Sequence, residues 1–469
     1  MPIALILLLG YSGLLIAVGL WIGRRVRSSD SFFVAGRTLG PGLLFSTVLA
    51  ANIGAGSTVG AAGLGYHDGL AAWWWVGAAA AGSLVQALWV GPRMRRIAAE
   101  RGLRTVGDYL EFRFSRRLRV IVAVLLWIGT LAILAGQLIA LSTVVTAVAG
   151  LPKWVGCLLG GAVMTLYFTA GGLLSSAWVN MLQLTVLLGG FAIALPAAFG
   201  QVGGWSGVVS GAPADAAYFS IWSNGASGWS YLFLLMPAFI VSPGLLQKVF
   251  GARDDRAVRF GVGMNAIVLF GFAFIPPLLG MIARSLHPSL ESAQLALPTL
   301  LAQDVPVAIG ALGLAALFSA EVSTADAILF MLATSLSQDL YKQYVRRDAD
   351  DRQVLHVARI AAAAGGAGGI AIALIAQTIV GTLSFFYSVL GVCLFVPILG
   401  GLYVARFRER QAMASILAGI GVMLVIQLAT GGMGFGGLTP TALGLLASVM
   451  AGAVALMTSP SPFRESRHA

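Results

Sequence analysis

The stretch AANIGAGSTVGAAGLG, residues 50–65, lies within an apolar segment yet is rich in glycine, and this combination decides the fold. A second apolar segment contains IVSPGLLQK, residues 240–248, with Ser-Pro-Gly in its interior. Proline removes a backbone donor and clashes with the preceding turn. Interrupted helices survive in lipid only where they line a cavity or pack on protein, because unsatisfied backbone groups are costly there. Both segments are therefore predicted to be broken membrane helices, with close helix packing as the alternative for either one alone.

The composition defines the class of protein around these two segments. Of the 469 residues, 58% are hydrophobic and only 10% are charged, whereas a soluble domain has about 25% charged residues. Apolar runs long enough to cross a bilayer recur along the chain, and the short alternating segments of a β-barrel are missing. The sequence thus predicts an all-α polytopic protein of the lipid bilayer, with about 13 transmembrane helices.

The predicted spans account for the positive charge. They lie at about 3–23, 41–64, 70–92, 118–148, 153–170, 175–200, 229–250, 258–283, 305–337, 356–377, 380–404, 411–430 and 438–457. With the N-terminus placed outside, all lysines and arginines except Lys153 and Arg284 fall in cytoplasmic connections, such as 248–259, or in the C-terminus. This asymmetry predicts a cytoplasmic C-terminus in a bacterial-type cell inner membrane. It also explains the net charge of +11 without a nucleic-acid partner.

The order of the spans predicts an internal repeat. The chain reads as one transporter domain, 1–469, in which a first set of five spans covers 41–200 and a second set covers 229–404. Two further helices follow at 411–457. Each set begins with an interrupted helix, and the second set is inverted because five is odd. Interrupted helices at matching places in inverted halves indicate the binding site of a transporter.

A stripe of small and hydroxylic residues lies in AEVSTADAILF, residues 320–330. The stripe consists of Ala320, Ser323, Thr324 and Ala327, which share one helix face. Hydroxyl and carbonyl oxygens are suitable ligands for a sodium ion, and the broken helix could supply carbonyls from Ala50 and Ile53. The alternative is that Ser323 and Thr324 bond back to carbonyls of their own helix.

Enzyme chemistry is not expected. The patterns H-E-x-x-H, G-x-S-x-G and the P-loop do not occur, and Cys157 and Cys393 lie in apolar runs as core residues. Two other functions of a membrane protein remain as alternatives to transport. One is a sensor domain, which would need an attached signalling module, and the other is a channel, which would need a charged ring or a filter.

Five short motifs resemble the sodium:solute symporter family, which includes sodium-coupled sugar, proline and sialic acid carriers. They are SDSFFVAGRTLG (29–40), AANI (50–53), TVGDYLEFRF (105–114), YFTAGGLLSSAWVN (167–180) and AEVST…SQDLYK (320–342). The resemblance covers nearly the whole chain. It implies a LeuT-type 5+5 inverted repeat and a sodium-coupled symporter that imports a small organic solute by alternating access.

The resemblance also implies the residues of the main sodium site. Ala50, Ile53 and Ala320 would provide backbone carbonyls, and Ser323 and Thr324 would provide hydroxyls. This set agrees with the stripe derived from helical periodicity. Sodium is therefore the expected coupling ion, with protons as the alternative.

Two positions near this site depart from the family pattern. The aspartate of the sixth span is Asn180 here, and a hydroxyl position on the ninth span is Asp326. We hypothesise that Asp326 restores the missing charge as a second cation ligand or a proton carrier, since ionisable residues inside a membrane are functional candidates. Glu321 lies about 140° around the same helix and is a further proton-carrier candidate. For both acids the alternative is a neutral or hydrogen-bonded structural role.

The substrate candidates follow from the two breaks and from the third span. They are Asn52, Gly56, Ser57, Trp75, Val76, Ser242 and Gln247. Sugar-carrying relatives place amides and acids where this chain has Gly56, Ser57 and Val76. The resemblance therefore disfavours a sugar and favours a smaller or more apolar solute. Tryptophans 73–75 could equally form an interfacial belt.

Overall fold

The structure, a computed structural model, describes residues 10–11, 13–15, 17–18, 21, 34–168, 172–223, 228–346, 348–376, 378–435 and 438–458, with only the backbone at 163–168, 172–175 and 343. Most of the predicted first span, about 3–23, lies outside these residues. The described residues contain isolated bridges, such as Leu39 with Ala252, but no strand.

The first half of the described chain consists of helices and short connections. The helices are α1 (Pro41–Asn52), α2 (Ala61–Asp68), α3 (Trp73–Val85), α4 (Gly91–Arg101), α5 (Val106–Arg113), α6 (Arg116–Ala149), α7 (Lys153–Phe168), α8 (Gly172–Gln201) and α9 (Trp205–Gly211). A π-helical turn at Gly56–Gly60 precedes α2, and another at Gln86–Val90 joins α3 to α4.

The second half continues in the same way. Its helices are α10 (Tyr231–Val241), α11 (Pro243–Phe250), α12 (Asp255–Phe272), α13 (Ile275–Leu286), α14 (Ala296–Thr299), α15 (Val307–Thr334), α16 (Asp351–Ile375), α17 (Ile379–Tyr403), α18 (Glu409–Thr430) and α19 (Pro440–Met457). A π-helical segment at Ser335–Val345 extends α15.

The length and hydropathy of these helices support a multi-pass membrane protein. Within the described residues, 9 helices are long and apolar enough to cross a membrane, and one bent pair brings the number to 10. The bent pair is Pro41–Asn52 with Gly56–Arg101, at an angle of 59°. The all-helical class is confirmed, but the structure does not reach the predicted number of spans. Most of the predicted first span lies outside the described residues, and α7 is described only to Phe168, directly before residues 169–171, which are not described.

Both predicted interruptions occur in the structure. Helix α1 ends at Asn52, and Ile53 is extended, with φ −102° and ψ 98°. Gly54 follows, and a Cβ atom there would lie 2.4 Å from the Thr324 hydroxyl, so only glycine permits this approach. The second interruption is confined to Ser242, with φ −51° and ψ 119°, and α11 restarts at Pro243, where proline is well tolerated.

The helices of the two halves pack on each other in matching pairs. Helix α10 packs on α3 as α12 packs on α1, and α8 packs on α15 as α17 packs on α6. Helix α1 packs on α8 as α10 packs on α17. The two interrupted helices therefore occupy comparable places in the bundle.

An ion network at one end of the bundle joins three elements. The guanidinium of Arg119, at the start of α6, lies 2.6 Å from Asp339, 2.7 Å from Asp108 and 2.7 Å from Glu111. The hydroxyl of Thr105 donates to Asp339 at 2.8 Å. Only 3% of the Arg119 side chain is exposed. This one cation therefore holds α5 and α6 against the segment that extends α15.

Replacing this cation is expected to destabilise the fold. Arg119→Met leaves three carboxylates facing one another without a cation, and breaking a buried pair in this way costs about 3–5 kcal/mol. Thermal and denaturant unfolding of the purified protein measure the change. The control is Arg117→Met, which removes an exposed arginine two residues away. Equal stability of the two variants would contradict a structural role for the network.

Candidate functional site

The five residues predicted to bind sodium lie together where α1 ends beside the middle of α15. The Ser323 hydroxyl lies 2.9 Å from the Ala50 carbonyl oxygen and 3.1 Å from that of Ala320. The Thr324 hydroxyl lies 3.0 Å from the carbonyl oxygens of both Ala50 and Ile53. We call these five residues the carbonyl–hydroxyl cluster; all of them are buried.

The break in the first helix makes this arrangement possible. Because α1 stops at Asn52, the carbonyls of its last turn have no partner further along the helix. The hydroxyls of Ser323 and Thr324 reach across to these carbonyls. A bond back to its own helix, which was the alternative, is found for Ser323 in addition to the bond across. These hydrogen bonds therefore bring three carbonyl and two hydroxyl oxygens together at one buried place, and neutral oxygens of this kind are ligands that a hard cation takes.

Asp326 and Asn180 meet through a serine rather than directly. The Ser176 hydroxyl donates a short hydrogen bond to Asp326. The amide nitrogen of Asn180 donates to Ser176 at 3.2 Å and to the Thr47 hydroxyl at 3.2 Å. Among the described residues, the amide oxygen of Asn180 has no hydrogen-bond partner. Asp326 and Asn180 thus belong to one buried polar network, as the family comparison of the motifs implied.

Lys248 extends this network, contrary to its placement in the basic connection 248–259. The charge count assigned it to the cytoplasmic connection at the end of the predicted span 229–250. Helix α11 does end at Phe250, but only 1% of Lys248, in its last turn, is exposed. Its ammonium group donates to the Thr47 hydroxyl at 2.8 Å. The burial was missed because the sequence does not show which face of this last turn packs inward.

Glu321 lies apart from Asp326, on another side of α15. The Thr58 hydroxyl, in the π-helical turn Gly56–Gly60, donates to one oxygen of Glu321 at 2.7 Å. Its second carboxylate oxygen is buried without a partner among the described residues. The structure therefore does not bring Glu321 into one site with Asp326 and Asn180, as the separation of the two acids around the helix indicated.

A narrow cavity adjoins the carbonyl–hydroxyl cluster, and Thr324 lines both. Five of the substrate candidates line it: Asn52, Gly56, Ser57, Trp75 and Val76. Trp75 is 3% exposed and packs edge-on against Tyr231, so this ring is a cavity wall and not part of an interfacial belt.

The two candidates at the second break lie in other cavities. Ser242 lines a neighbouring cavity, which shares Asn52 and Thr324 with the first. Gln247 lines a third cavity beside the Arg119 network, and its amide donates to Thr334 at 3.3 Å. Gln247 is thus not brought to the first cavity, because α11 restarts after Ser242 with a different face turned inward.

Sequence reasoning missed several residues of the first cavity, among them Gln137 and Tyr387. Gln137, on α6, accepts a hydrogen bond of 2.8 Å from the backbone nitrogen of Ala55, inside the break. Tyr387, on α17, packs against Trp75 and Phe239, with ring centroids 6.3 and 5.4 Å apart. A lone amide in the apolar run of α6 was a signal for Gln137. Nothing in the sequence distinguishes Tyr387 from other aromatic residues of its helix.

A helical membrane bundle with a broken helix beside buried oxygen ligands and a cavity has the architecture of a cation-coupled transporter. The sequence model of the sodium:solute symporter family matches residues 32–419. The chain belongs to this family, as its motifs predicted. It is a membrane transporter and not an enzyme.

Named relatives agree with this assignment. The chain is 29% identical to a sodium/glucose cotransporter of Vibrio parahaemolyticus, over 75% of this chain and 71% of that protein. It is 22% identical to a high-affinity proline transporter of Bacillus subtilis, over 88% of this chain and 89% of that protein. A solved Na+-coupled sialic acid symporter has the same fold, with a TM-score of 0.80, 20% identity and 98% of each chain covered.

The close approach at Gly54 can be tested by adding a methyl group. In Gly54→Ala the new Cβ atom would lie 2.4 Å from the Thr324 hydroxyl and 2.8 Å from the Gln137 side-chain oxygen. We expect unfolding free energy to fall by about 1–3 kcal/mol, together with loss of any response of thermal stability to sodium. Gly42→Ala, also in α1, is the control because nothing lies within 4 Å of its added Cβ. A Gly54→Ala protein with an intact sodium response would contradict the geometry.

Proposed function

We propose that the chain is a sodium-coupled symporter that imports a small organic solute by alternating access. The observation that carries the proposal is the carbonyl–hydroxyl cluster, where two hydroxyls of α15 meet the free carbonyls at the end of α1. Family membership and the names of the relatives support coupling to sodium.

Sodium would enter this cluster as a transported ion. Ala50, Ile53 and Ala320 offer carbonyl oxygens, and the hydroxyl oxygens of Ser323 and Thr324 have lone pairs to offer once their protons turn away. The carbonyl end of α1 carries partial negative charge, which favours a cation. No carboxylate belongs to the cluster itself, so binding would be reversible and the ion could leave on the other side. The membrane potential would contribute about 2.3 kcal/mol per charge per 100 mV.

Alternating access is proposed from the position of the cluster between two halves. We infer that 41–200 and 229–404 are inverted repeats, and the matching pairs of packed helices support this. The cluster joins α1 of the first half to α15 of the second. A movement of one half against the other would therefore open or close the ion site and the adjoining cavity together.

The lining of the cavity limits the class of solute. Among its described lining residues are the rings of Trp75, Phe239 and Tyr387, the amides of Asn52 and Gln137, and no Asp, Glu, Lys or Arg. Such a wall offers apolar contact and few hydrogen bonds. We propose a small solute with an apolar face rather than a polyol. A carboxylate on that solute would pair with the sodium ion, since Thr324 lines both sites.

The proposed orientation follows the distribution of basic residues. The N-terminus would lie outside and the C-terminus in the cytoplasm, in a cell inner membrane. The cytoplasmic side would then contain the Arg119 network, and the cavity lined by Gln247 would lie on the path from the cluster to the cytoplasm.

The sodium site is tested by removing its hydroxyls. In Ser323→Ala and Thr324→Ala the cluster loses one ligand oxygen, and the sodium concentration for half-maximal thermal stabilisation should rise at least about 10-fold, equivalent to about 1.4 kcal/mol. The measurement is the melting temperature of purified protein against sodium, with potassium as the reference salt.

Ser337→Ala is the matched control for these variants. Ser337 is a buried serine on the extension of α15 whose hydroxyl bonds a carbonyl of its own helix at 2.7 Å. It should lose some stability and keep the sodium response. If the wild-type protein responds to pH and not to sodium, and Asp326→Asn or Glu321→Gln removes that response, the coupling ion is the proton.

A further inference from the structure

A second polar network lies one helical turn from the carbonyl–hydroxyl cluster. Its members are Lys248, Thr47, Asn180, Ser176 and Asp326, and each is at most 7% exposed. Thr47 precedes Ala50 by three residues on α1, and Asp326 follows Ser323 by three residues on α15. Four helices meet here: α1, α8, α11 and α15.

The hydrogen bonds of this network run from a cation to a carboxylate. The Lys248 ammonium donates to Thr47 at 2.8 Å, and the Asn180 amide donates to Thr47 and Ser176. Ser176 then donates to Asp326. Asp326 only accepts in these bonds, as an ionised carboxylate does. Thr47, Asn180 and Ser176 thus connect the ammonium of Lys248 to the carboxylate of Asp326.

The oxygens of the network form a set that suits a hard cation. They are a carboxylate from Asp326, the hydroxyls of Ser176 and Thr47, and the amide oxygen of Asn180, which lacks a partner among the described residues. Carboxylate, amide and hydroxyl oxygens are the ligands such cations take. The single positive charge that this set needs is already present on Lys248, at the end of a side chain that cannot leave.

We propose that Lys248 is the resident cation of the Asp326 network, so that no second sodium ion binds there. Combined with the proposed function, on which this step rests, the assignment gives one sodium ion per transport cycle. A fixed ammonium keeps Asp326 neutralised while the sodium cluster fills and empties. The Asp326 carboxylate then takes no part in coupling transport to the sodium gradient.

The test counts sodium ions on purified full-length protein by equilibrium binding of radioactive sodium, with potassium as competitor. Wild type should bind one ion. Lys248→Gln leaves Asp326 without its cation and should bind a second sodium ion. The number of ions deduced from the sodium dependence of thermal stability should then rise by one. Lys248→Gln/Asp326→Asn should return to one ion. Lys248→Arg, which keeps a fixed charge, should stay at one.

Two results would overturn the assignment. One is a wild type that binds two ions and loses one in Asp326→Asn. The other is a folded Lys248→Gln protein that binds no more sodium than wild type. If Lys248→Gln does not fold, the double variant decides: recovery of folding supports charge neutralisation, and failure to recover shows that Lys248 acts through packing.

The same variants separate this inference from the proposed function. In the Lys248→Gln background, Ser323→Ala should remove the ion of the carbonyl–hydroxyl cluster and retain the one at Asp326. A wild type that binds no sodium, beside a Lys248→Gln protein that binds one, would contradict sodium coupling and still support the role of Lys248.

Discussion

The contact between two hydroxyls of α15 and the free carbonyls at the end of α1 is the interaction on which the rest of the structure depends. A helix can end inside a membrane protein only if another group satisfies its last carbonyls. Ser323 and Thr324 do this for Ala50 and Ile53. The same contact requires glycine at position 54 and places the cavity beside the ion site. One local requirement of the backbone therefore fixes the positions of the proposed sodium ion and the proposed solute.

The predictions that succeeded came from features with a fixed geometry. Residues 320, 323 and 324 share a helix face whatever surrounds the helix, and glycine or proline marks a break wherever it lies. The family motifs then paired α15 with the correct break. Lys248 and Gln247 were misplaced for the opposite reason. Their positions depend on which face of α11 turns inward after the interruption at Ser242, and that face does not follow from local sequence.

Residues on other helices that contact the break or its cavity were the hardest to predict. Gln137 satisfies the backbone nitrogen of Ala55 from α6, which is far away in sequence. Tyr387 closes the cavity from α17. Such contacts arise from packing between the two halves, and one sequence gives no register for that packing. The motifs nevertheless identified the family, because its short patterns lie on the broken helix and on α15, where the geometry is most restricted.

The distribution of charge around α15 fits the proposal of a transported ion that is held without being trapped. The carbonyl–hydroxyl cluster is neutral, and each neighbouring acid has its own hydroxyl donor, Thr58 for Glu321 and Ser176 for Asp326. An ion that is to be carried must bind well enough to enter and weakly enough to leave. Neutral oxygens in direct contact give moderate affinity. Under the inference above, Lys248 balances the charge of Asp326. Glu321 is fully buried with a hydroxyl donor and no ion pair among the described residues, and a carboxyl in such a place is kept neutral. The neutral oxygens of the cluster, rather than the neighbouring acids, would then set the affinity for sodium.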